Sequence, residues 1–435
     1  MLLPSAHLVR IAVLWLVAAV AASIWPQAVL VWLIASAAGI AVVAIDAVLL
    51  VLSPAPTAAR HLPGSAALNV PIDVRIRLAN RSSLRCTYDV YDHHPPECSI
   101  DGQPQSLALP ARGWAELAYR LRATSRGNLQ FGPIELRMTS PLRLWQRRVR
   151  AGEPATLRVY PNFAALSGYA LLATDHRLSD VGILQRRRRG EGMDFDQLRE
   201  YREGDSQRKI DWKASQRLGK LISRDYQDER DQQIVFLVDC GRRMRAKDDD
   251  CSHFDHALDA TLLLAYVGLR QGDSVGLMTM SGEERFLAPR SSRETVSRIL
   301  NAVYDLQPGM MTTDYYQAAV ALGRRVRKRA LVVVLSNLRD EDDDTLLPAL
   351  RLLQKRHLVL FASLREKVLD DAVLLPVNDF ESALAHAAAV DYRMQRDAAF
   401  RRLKLANVVC LDVPPQRLAV ALVNQYLEVK RSGRL

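Results

Sequence analysis

The sequence predicts three parts in order: an N-terminal two-helix transmembrane hairpin, a β-sandwich-like middle domain, and a C-terminal α/β domain with a doubly wound, mostly parallel sheet. Three observations carry this reading. Two long apolar runs stand together at the start, Leu8 to Trp25 and Gln27 to Leu52. Short alternating apolar segments follow, separated by Gly, Pro and Asn. Beyond about residue 230, continuous apolar runs alternate with stretches of helical spacing. A chain of 435 residues suits roughly two or three domains. The expected boundaries are 1–60 for the hairpin and linker, 61–165 for the β domain, 166–230 for a basic, motif-bearing segment, and 231–435 for the α/β domain.

Each N-terminal run is close to the ~20 residues that span a hydrocarbon core. Each holds one charge, Arg10 at the edge of the first and Asp46 in the second. Trp15, Trp25 and Trp32 suit the membrane interface, and Trp25 and Trp32 flank a turn at Pro26. Ala19-Val20-Ala21 resembles a signal-peptide cleavage site, but a second span follows at once. Arg10 precedes the first span, Arg60 follows the second, and the turn carries neither Lys nor Arg. By the positive-inside bias both ends are expected in the cytoplasm. The expected localisation is the inner (cytoplasmic) membrane, multi-pass, with the soluble domains and their five thiols in the reducing cytoplasm. Asp46 lies near the end of its span, where it can reach the interface or be protonated.

Pro54 and Pro56 end the second helix. Val70-Pro-Ile-Asp-Val-Arg-Ile-Arg-Leu78 alternates apolar and polar residues, the period of a half-buried strand. Tyr88 to Tyr91, Ala115 to Leu121, Ile134 to Met138 and Thr156 to Tyr160 read as further short strands, punctuated by Gly102, Pro110, Gly113, Gly127, Asn128, Gly132 and Pro133. That spacing predicts a sandwich. His93 and His94 lie in a Pro-containing loop near Cys86 and Cys98, in no standard zinc spacing.

Arg186, Arg187, Arg188 and Arg189 form a basic run. It suits a solvated loop, or a contact with anionic lipid or an acidic partner. It lacks interleaved aromatics and any groove-reading motif, so nucleic acid is not expected. The next segment, Gly192 to Leu221, is dense in charge yet carries Phe195, Leu198, Tyr201, Ile210 and Trp212 as apolar anchors. Arg199, Glu200, Asp205, Arg208, Asp211 and Arg217 can form an ion-pair network, which fixes geometry more than it adds stability. The segment reads either as a clamp between the soluble domains or as a partner-binding site.

The pattern G-x-x-F-x-x-L-R-E-Y-x-x-G-D-x-x-R-x-I-D-W-K-A-S-x-R-x-G-K-L resembles the signature of the domain-of-unknown-function 58 family. The resemblance covers nearly the whole chain in the same order. It implies a transmembrane pair, a β-rich region and a C-terminal von Willebrand factor A-like domain. It also implies a MoxR-type AAA+ ATPase as partner, in assembly or maturation of other proteins. The motif positions that would then serve partner binding are Arg199, Tyr201, Gly204, Asp205, Arg208, Asp211, Trp212 and Arg217.

Ile234 to Asp239 is a continuous apolar run ending in a carboxylate, as in a buried parallel strand. Ser274 to Met280, Ala330 to Leu335, His357 to Ala362 and Val408 to Asp412 read as further strands. Phe254 to Leu269, Thr295 to Tyr304, Tyr315 to Val326, a stretch from about Thr345, Arg393 to Leu403 and Arg417 to Val429 read as helices. This alternation gives a parallel sheet covered on both faces, and ligands of such sheets bind beyond the C-terminal strand ends. Asp239, Thr312-Thr313-Asp314 and Asn337 fall at that edge.

By the same resemblance, that edge can hold a divalent ion through an Asp-x-Ser-x-Ser run, a later Thr and a later Asp. A hard cation wants such oxygens. Here the positions are Asp239, Gly241, Arg243, Thr313 and Asn337: two hydroxyls are missing, one carboxylate is an amide, and Arg243 brings a fixed positive charge. No metal and no other cofactor are expected. Arg243, or Arg242 in a shifted turn, is expected to pair with Asp239 in the cation's place, or else to point to solvent. The acidic runs Asp340 to Asp344 and Asp248 to Asp250 read as solvated, the first at a helix N-terminus, or else as sites for a cation or a basic partner.

Composition narrows the classes further. Lys and Arg number 59 against 48 Asp and Glu, a formal +11 that favours acidic partners. Five cysteines exclude a disulfide-stapled scaffold. No G-x-x-x-x-G-K-[ST] loop and no H-E-x-x-H motif occur. Cys240 as a nucleophile, with His253 or His256 as base, lacks an orienting group. The expectation is a non-enzymatic, membrane-anchored cytoplasmic scaffold, touching membrane lipid and a MoxR-type ATPase. Its rivals are an enzyme of unknown reaction at Asp239, Cys240 and Thr313, and an anionic-lipid module at the arginine run.

Overall fold

The computed structural model describes residues 2–162, 194–201, 210–227, 232–248, 250–339, 343–374 and 376–434. The chain divides into two compact units, Met1–Tyr160 and Pro161–Leu435. The hairpin and the sheet-rich region, expected as separate domains, therefore share one unit.

Helices α1 (Ala6–Ile24) and α2 (Pro26–Leu52) are both long and apolar enough to cross a bilayer. Their large apolar side chains point outward along most of their length. That is unfavourable in water and natural in lipid. The hairpin is held by a stacked Trp15–Trp32 pair, 6.4 Å between ring centroids, and by the Trp15 indole donating to Ser36 Oγ at 3.0 Å. Trp15 and Trp32 are thus helix-packing residues as well as interface candidates.

The hairpin does not hang free of the sheets. Strand β1 (Leu2–Pro4) pairs with β11 (Trp145–Ala151). Asp46 is buried, accepting from Ser140 Oγ at 2.6 Å and from the Leu142 amide at 3.1 Å. The Trp145 indole donates to the Val43 carbonyl at 2.9 Å, and Arg147 donates to the carbonyls of Leu50, Val51 and Ser53. Those carbonyls are orphans of the α2 C-terminus, where a cation is favoured. Asp46 is therefore a docking residue.

Three sheets build the rest of this unit. One has the order β1-β11-β10-β5-β7, with β5 (Cys86–Asp92), β7 (Gln105–Leu109) and β10 (Ile134–Thr139). The second is β2 (Thr57–His61), β4 (Pro71–Ala79), β8 (Trp114–Ala123) and β6 (Cys98–Asp101). The third is β3 (Ser65–Ala67), β12 (Ala155–Tyr160) and β9 (Gly127–Phe131). Alternate residues of β4 (Val74, Ile76, Leu78) and of β10 (Ile134, Leu136, Met138) are buried, as the period of two requires. Asp92 of β5 ties the first two sheets together. It accepts from Arg60 Nε at 2.9 Å and from the Tyr119 hydroxyl at 2.6 Å. Arg60, expected to mark the cytoplasmic flank, is spent on this buried pair; Arg147 is the cation at the end of α2.

In the second unit, β13 (Asp194–Glu200) pairs with β14 (Ile222–Gln227), and α3 (Trp212–Leu218) lies between them in sequence. The main sheet follows. Its strands are β15 (Gln233–Asp239), β16 (Ser274–Met280), β17 (Phe286–Arg290), β18 (Ala330–Ser336), β19 (Leu358–Leu364) and β20 (Val409–Val413). Their order is β17-β16-β15-β18-β19-β20, all parallel except β17.

Both faces are covered. Ile234, Phe236 and Val238 of β15 join one core with α4 (His253–Arg270), α5 (Thr295–Val303) and α10 (Leu418–Arg431). Val235 and Leu237 join the other with α6 (Tyr315–Arg325), α7 (Asp343–Gln354) and the second half of α9 (Phe380–Leu405). Helix α8 (Lys367–Leu374) precedes α9. Helix α9 starts well before the expected Arg393, because an Asp379–Ser382 capping box opens it.

Candidate functional site

Asp239 ends β15 at the C-terminal edge of the parallel strands and is wholly buried. Its Oδ1 accepts from the Thr313 hydroxyl at 2.7 Å and from the Gly241 amide at 2.8 Å. Its Oδ2 accepts from Ser336 Oγ at 2.5 Å. Ser336 in turn shares a 2.8 Å hydrogen bond with the Tyr315 hydroxyl. Burial pushes the Asp239 carboxyl above its ordinary range. The donors Ser336, Thr313 and Gly241, and last the field of Arg243, oppose that shift.

The sequence places Thr313 at this edge, and the structure brings it onto Asp239. Ser336 and Tyr315 were not anticipated, although Ser336 directly precedes the expected Asn337. The expected Asp239–Arg243 pair takes a different form: the carboxylate bonds to hydroxyls and an amide, and Arg243 acts through its field. Arg243 sits in a short 3-10 turn, Arg242–Arg245, that follows directly on Gly241.

Gly241 is required by space. A Cβ there would lie 2.7 Å from Thr313 Oγ1 and 3.0 Å from the Met311 carbonyl oxygen. The loop before α6 is laced to this turn: the Arg242 amide donates to Met311 O at 3.0 Å, and the Gly309 amide to Cys240 O at 2.7 Å. Met310 and Met311 at its tip are 73% and 68% exposed.

Asn337 belongs to a neighbouring network. Its Nδ2 donates to Glu366 Oε1 at 2.8 Å, and its Oδ1 accepts from Arg396 at 3.2 Å. Arg396, buried on α9, also donates to the Leu338 and Leu364 carbonyls, to Ser363 Oγ and to Asp412. One guanidinium thus gathers the ends of β18, β19 and β20. Sequence reading missed it, since an Arg within an amphipathic helix carries no local mark of burial.

The donor set does not fit a divalent cation, which needs about six oxygens. Gly241 offers no side chain, Asn337 is engaged by Glu366 and Arg396, and Arg243 adds positive charge. Among the described residues, no cluster of three or more His, Cys, Asp or Glu could hold a metal. The imagined Cys240–His253 couple is not formed either: His253 turns its Nε2 to Asp248 at 3.1 Å, and Cys240 is buried.

In the motif segment, Asp211 caps α3, accepting from the Lys213 and Ala214 amides at 3.0 Å each. Ser215 Oγ accepts from the Ile222 amide at 2.8 Å, and Gly219 ends the helix with φ +65°. Asp211, Ser215 and Gly219 thus shape a helix and its return strand. Trp212, expected as an apolar anchor, is 68% exposed. Its neighbour Arg217 lies in the last turn of α3, and Tyr201 donates its amide to Leu221 O at 2.9 Å. Arg199 lies in β13 by its backbone. Gly204, Asp205, Arg208, the run Arg186 to Arg189 and residues 340–342 lie outside the described residues.

An exposed apolar hairpin and an open α/β sheet define a membrane-associated protein. Residues 197–404 match the family model described as protein of unknown function DUF58. An uncharacterized protein of Mycobacterium tuberculosis is 23% identical over 262 residues, 57% of this chain and 82% of that protein. An uncharacterized protein of Mycobacterium bovis matches with the same figures. Among solved structures, an aerotolerance-related membrane protein from Bacteroides fragilis is similar at 15% identity and a TM-score of 0.29, over 45% of this chain and 98% of that one. The ASH/PapD-like domain of human CEP192 is similar at 11% identity and a TM-score of 0.19, over 25% of this chain and 86% of that one.

Proposed function

We propose that this protein is a non-enzymatic, multi-pass membrane scaffold whose soluble parts face the cytoplasm. Its C-terminal domain is a von Willebrand A-like fold with a degenerate, metal-free edge. Its partner at that edge is a MoxR-type AAA+ ATPase, acting in assembly or maturation of other proteins. The strand order with one antiparallel edge strand supports the fold reading. Arg10 near the N-terminal end of α1 and Arg147 at the C-terminal end of α2 support the orientation.

The observation that carries the reading is the saturation of Asp239. Each carboxylate oxygen is satisfied by the protein itself, so the edge is built to hold a shape. The shape it holds is the loop that presents Met310 and Met311, and exposed methionines suit adaptable protein contacts. The test mixes the purified full-length chain in nanodiscs with a purified MoxR-type ATPase and ATP. Binding that is lost on Met310→Asp with Met311→Asp supports the reading. Absence of binding, or binding indifferent to that change, contradicts it.

A further inference from the structure

Helix α9 buries one face and leaves the other bare. Ala389, Arg396, Ala399, Phe400 and Leu403 pack inward. On the opposite face Phe380, Leu384, Met394 and Leu405 are 84%, 61%, 58% and 85% exposed. Together with Ala387, Asp391, Ala398 and Arg401 these positions recur at intervals of four and three residues. That is a heptad seam, the pattern of a helix that packs along another helix. An isolated exposed Leu needs no explanation, but a seam of this length does.

The charges on α9 select the occupant. Its first half carries Asp379, Glu381 and Asp391. Its second half carries Arg393, Arg401, Arg402 and Lys404 against Asp397, with Arg396 buried. A second copy laid antiparallel sets the acidic half of each helix against the basic half of the other, and the two helix dipoles oppose. The seam then matches itself: Phe380 faces Leu405, Leu384 faces the aliphatic stem of Arg401, Ala387 faces Ala398, and Asp391 faces Met394. Large residues lie at the ends and the two alanines within, so the axes can approach closely. A two-fold contact of this kind is self-complementary by construction.

We propose that α9 is a homodimer interface, formed by an antiparallel α9–α9 pair in this register. The contact is independent of the partner at the Asp239 edge, which lies on a different loop.

The test uses the full-length chain in its membrane. Two differently tagged copies are co-expressed, one carrying Ala387→Cys and the other Ala398→Cys, with Cys251 and Cys410 replaced by Ser in both. Mild oxidation is expected to link the two tags, while Ala387→Cys in both copies is expected to give no link. Separately, Leu384→Glu, at an exposed position that leaves the fold intact, is expected to weaken self-association about tenfold or more. High salt is expected to weaken it further. Linking by Ala387→Cys alone would mean a parallel pair and overturn the register. A chain that is monomeric at all membrane densities, or a dimer indifferent to Leu384→Glu, would overturn the interface.

Discussion

The Thr313 hydroxyl donates to the Asp239 carboxylate at 2.7 Å, joining the end of β15 to a loop 74 positions later. Ser336 closes the other oxygen from β18. The pair turns a sheet edge that could have coordinated a ligand into a self-contained knot that fixes the Met310–Met311 loop.

Asp239 itself should report this in its pH dependence. Its folded carboxyl is raised by burial, so the native state holds the proton more tightly than the unfolded chain. Its contribution therefore favours folding at low pH. It is lost as the pH climbs from the unfolded value of about 3.9 through the raised native one. Asp239→Asn, which cannot titrate, is expected to gain stability relative to the wild type across that window. Asp239→Ala is expected to lose about 1–3 kcal/mol at neutral pH, because two hydroxyls and an amide lose their acceptor. Denaturant unfolding of the solubilised chain from acid to neutral pH measures both.

Restoring the hydroxyl pattern should not restore a metal site. Gly241→Ser with Arg243→Ser recreates the Asp-x-Ser-x-Ser run, yet the new Cβ at 241 meets Thr313 Oγ1 and the Met311 backbone. The expected result is a loss of about 1–3 kcal/mol from overpacking. No rise in thermal midpoint is expected on adding magnesium or manganese. A metal-dependent rise would show that the edge is a latent cation site.

Arg396 is expected to be among the costliest single positions in the α/β unit. Arg396→Met leaves Asp412 and two strand-end carbonyls without their donor. Removing one member of such a buried pair costs about 3–5 kcal/mol. Arg396→Met with Asp412→Leu should recover part of that loss. Full additivity of the two changes would argue against the pairing.

Asp46 couples the hairpin to the sheets. Asp46→Ala and Ser140→Ala should each destabilise the first unit by about 1–3 kcal/mol. Because both remove the same 2.6 Å contact, the double variant should cost clearly less than their sum. Thermal unfolding in detergent, run as a double-mutant cycle, gives the coupling directly.

What the sequence made readable follows from local chemistry. The two spans and the buried strands β15, β16 and β18 lie within a residue or two of their expected ends, since continuous apolar runs bounded by polar residues leave little choice. Strand β9 was lost behind Gly127 and Asn128, which look like a turn although Leu129 and Phe131 are buried. Strand β11 was lost because Arg147, Arg148 and Arg150 mask its alternation. Asp239 and Thr313 were found because a strand-end carboxylate and a hydroxyl-rich loop are recognisable types. Ser336, Tyr315 and Arg396 were not, because their roles arise only when distant strands meet.

The measurement that bears most directly on the scaffold account is a crosslinked pull-down of the full-length chain from its native membrane, with and without ATP, read by mass spectrometry. The account predicts that an AAA+ ATPase is recovered with the wild type and lost with the Met310→Asp, Met311→Asp variant, whose thermal midpoint stays unchanged. Recovery of no ATPase under either condition, or equal recovery by both chains, would contradict it.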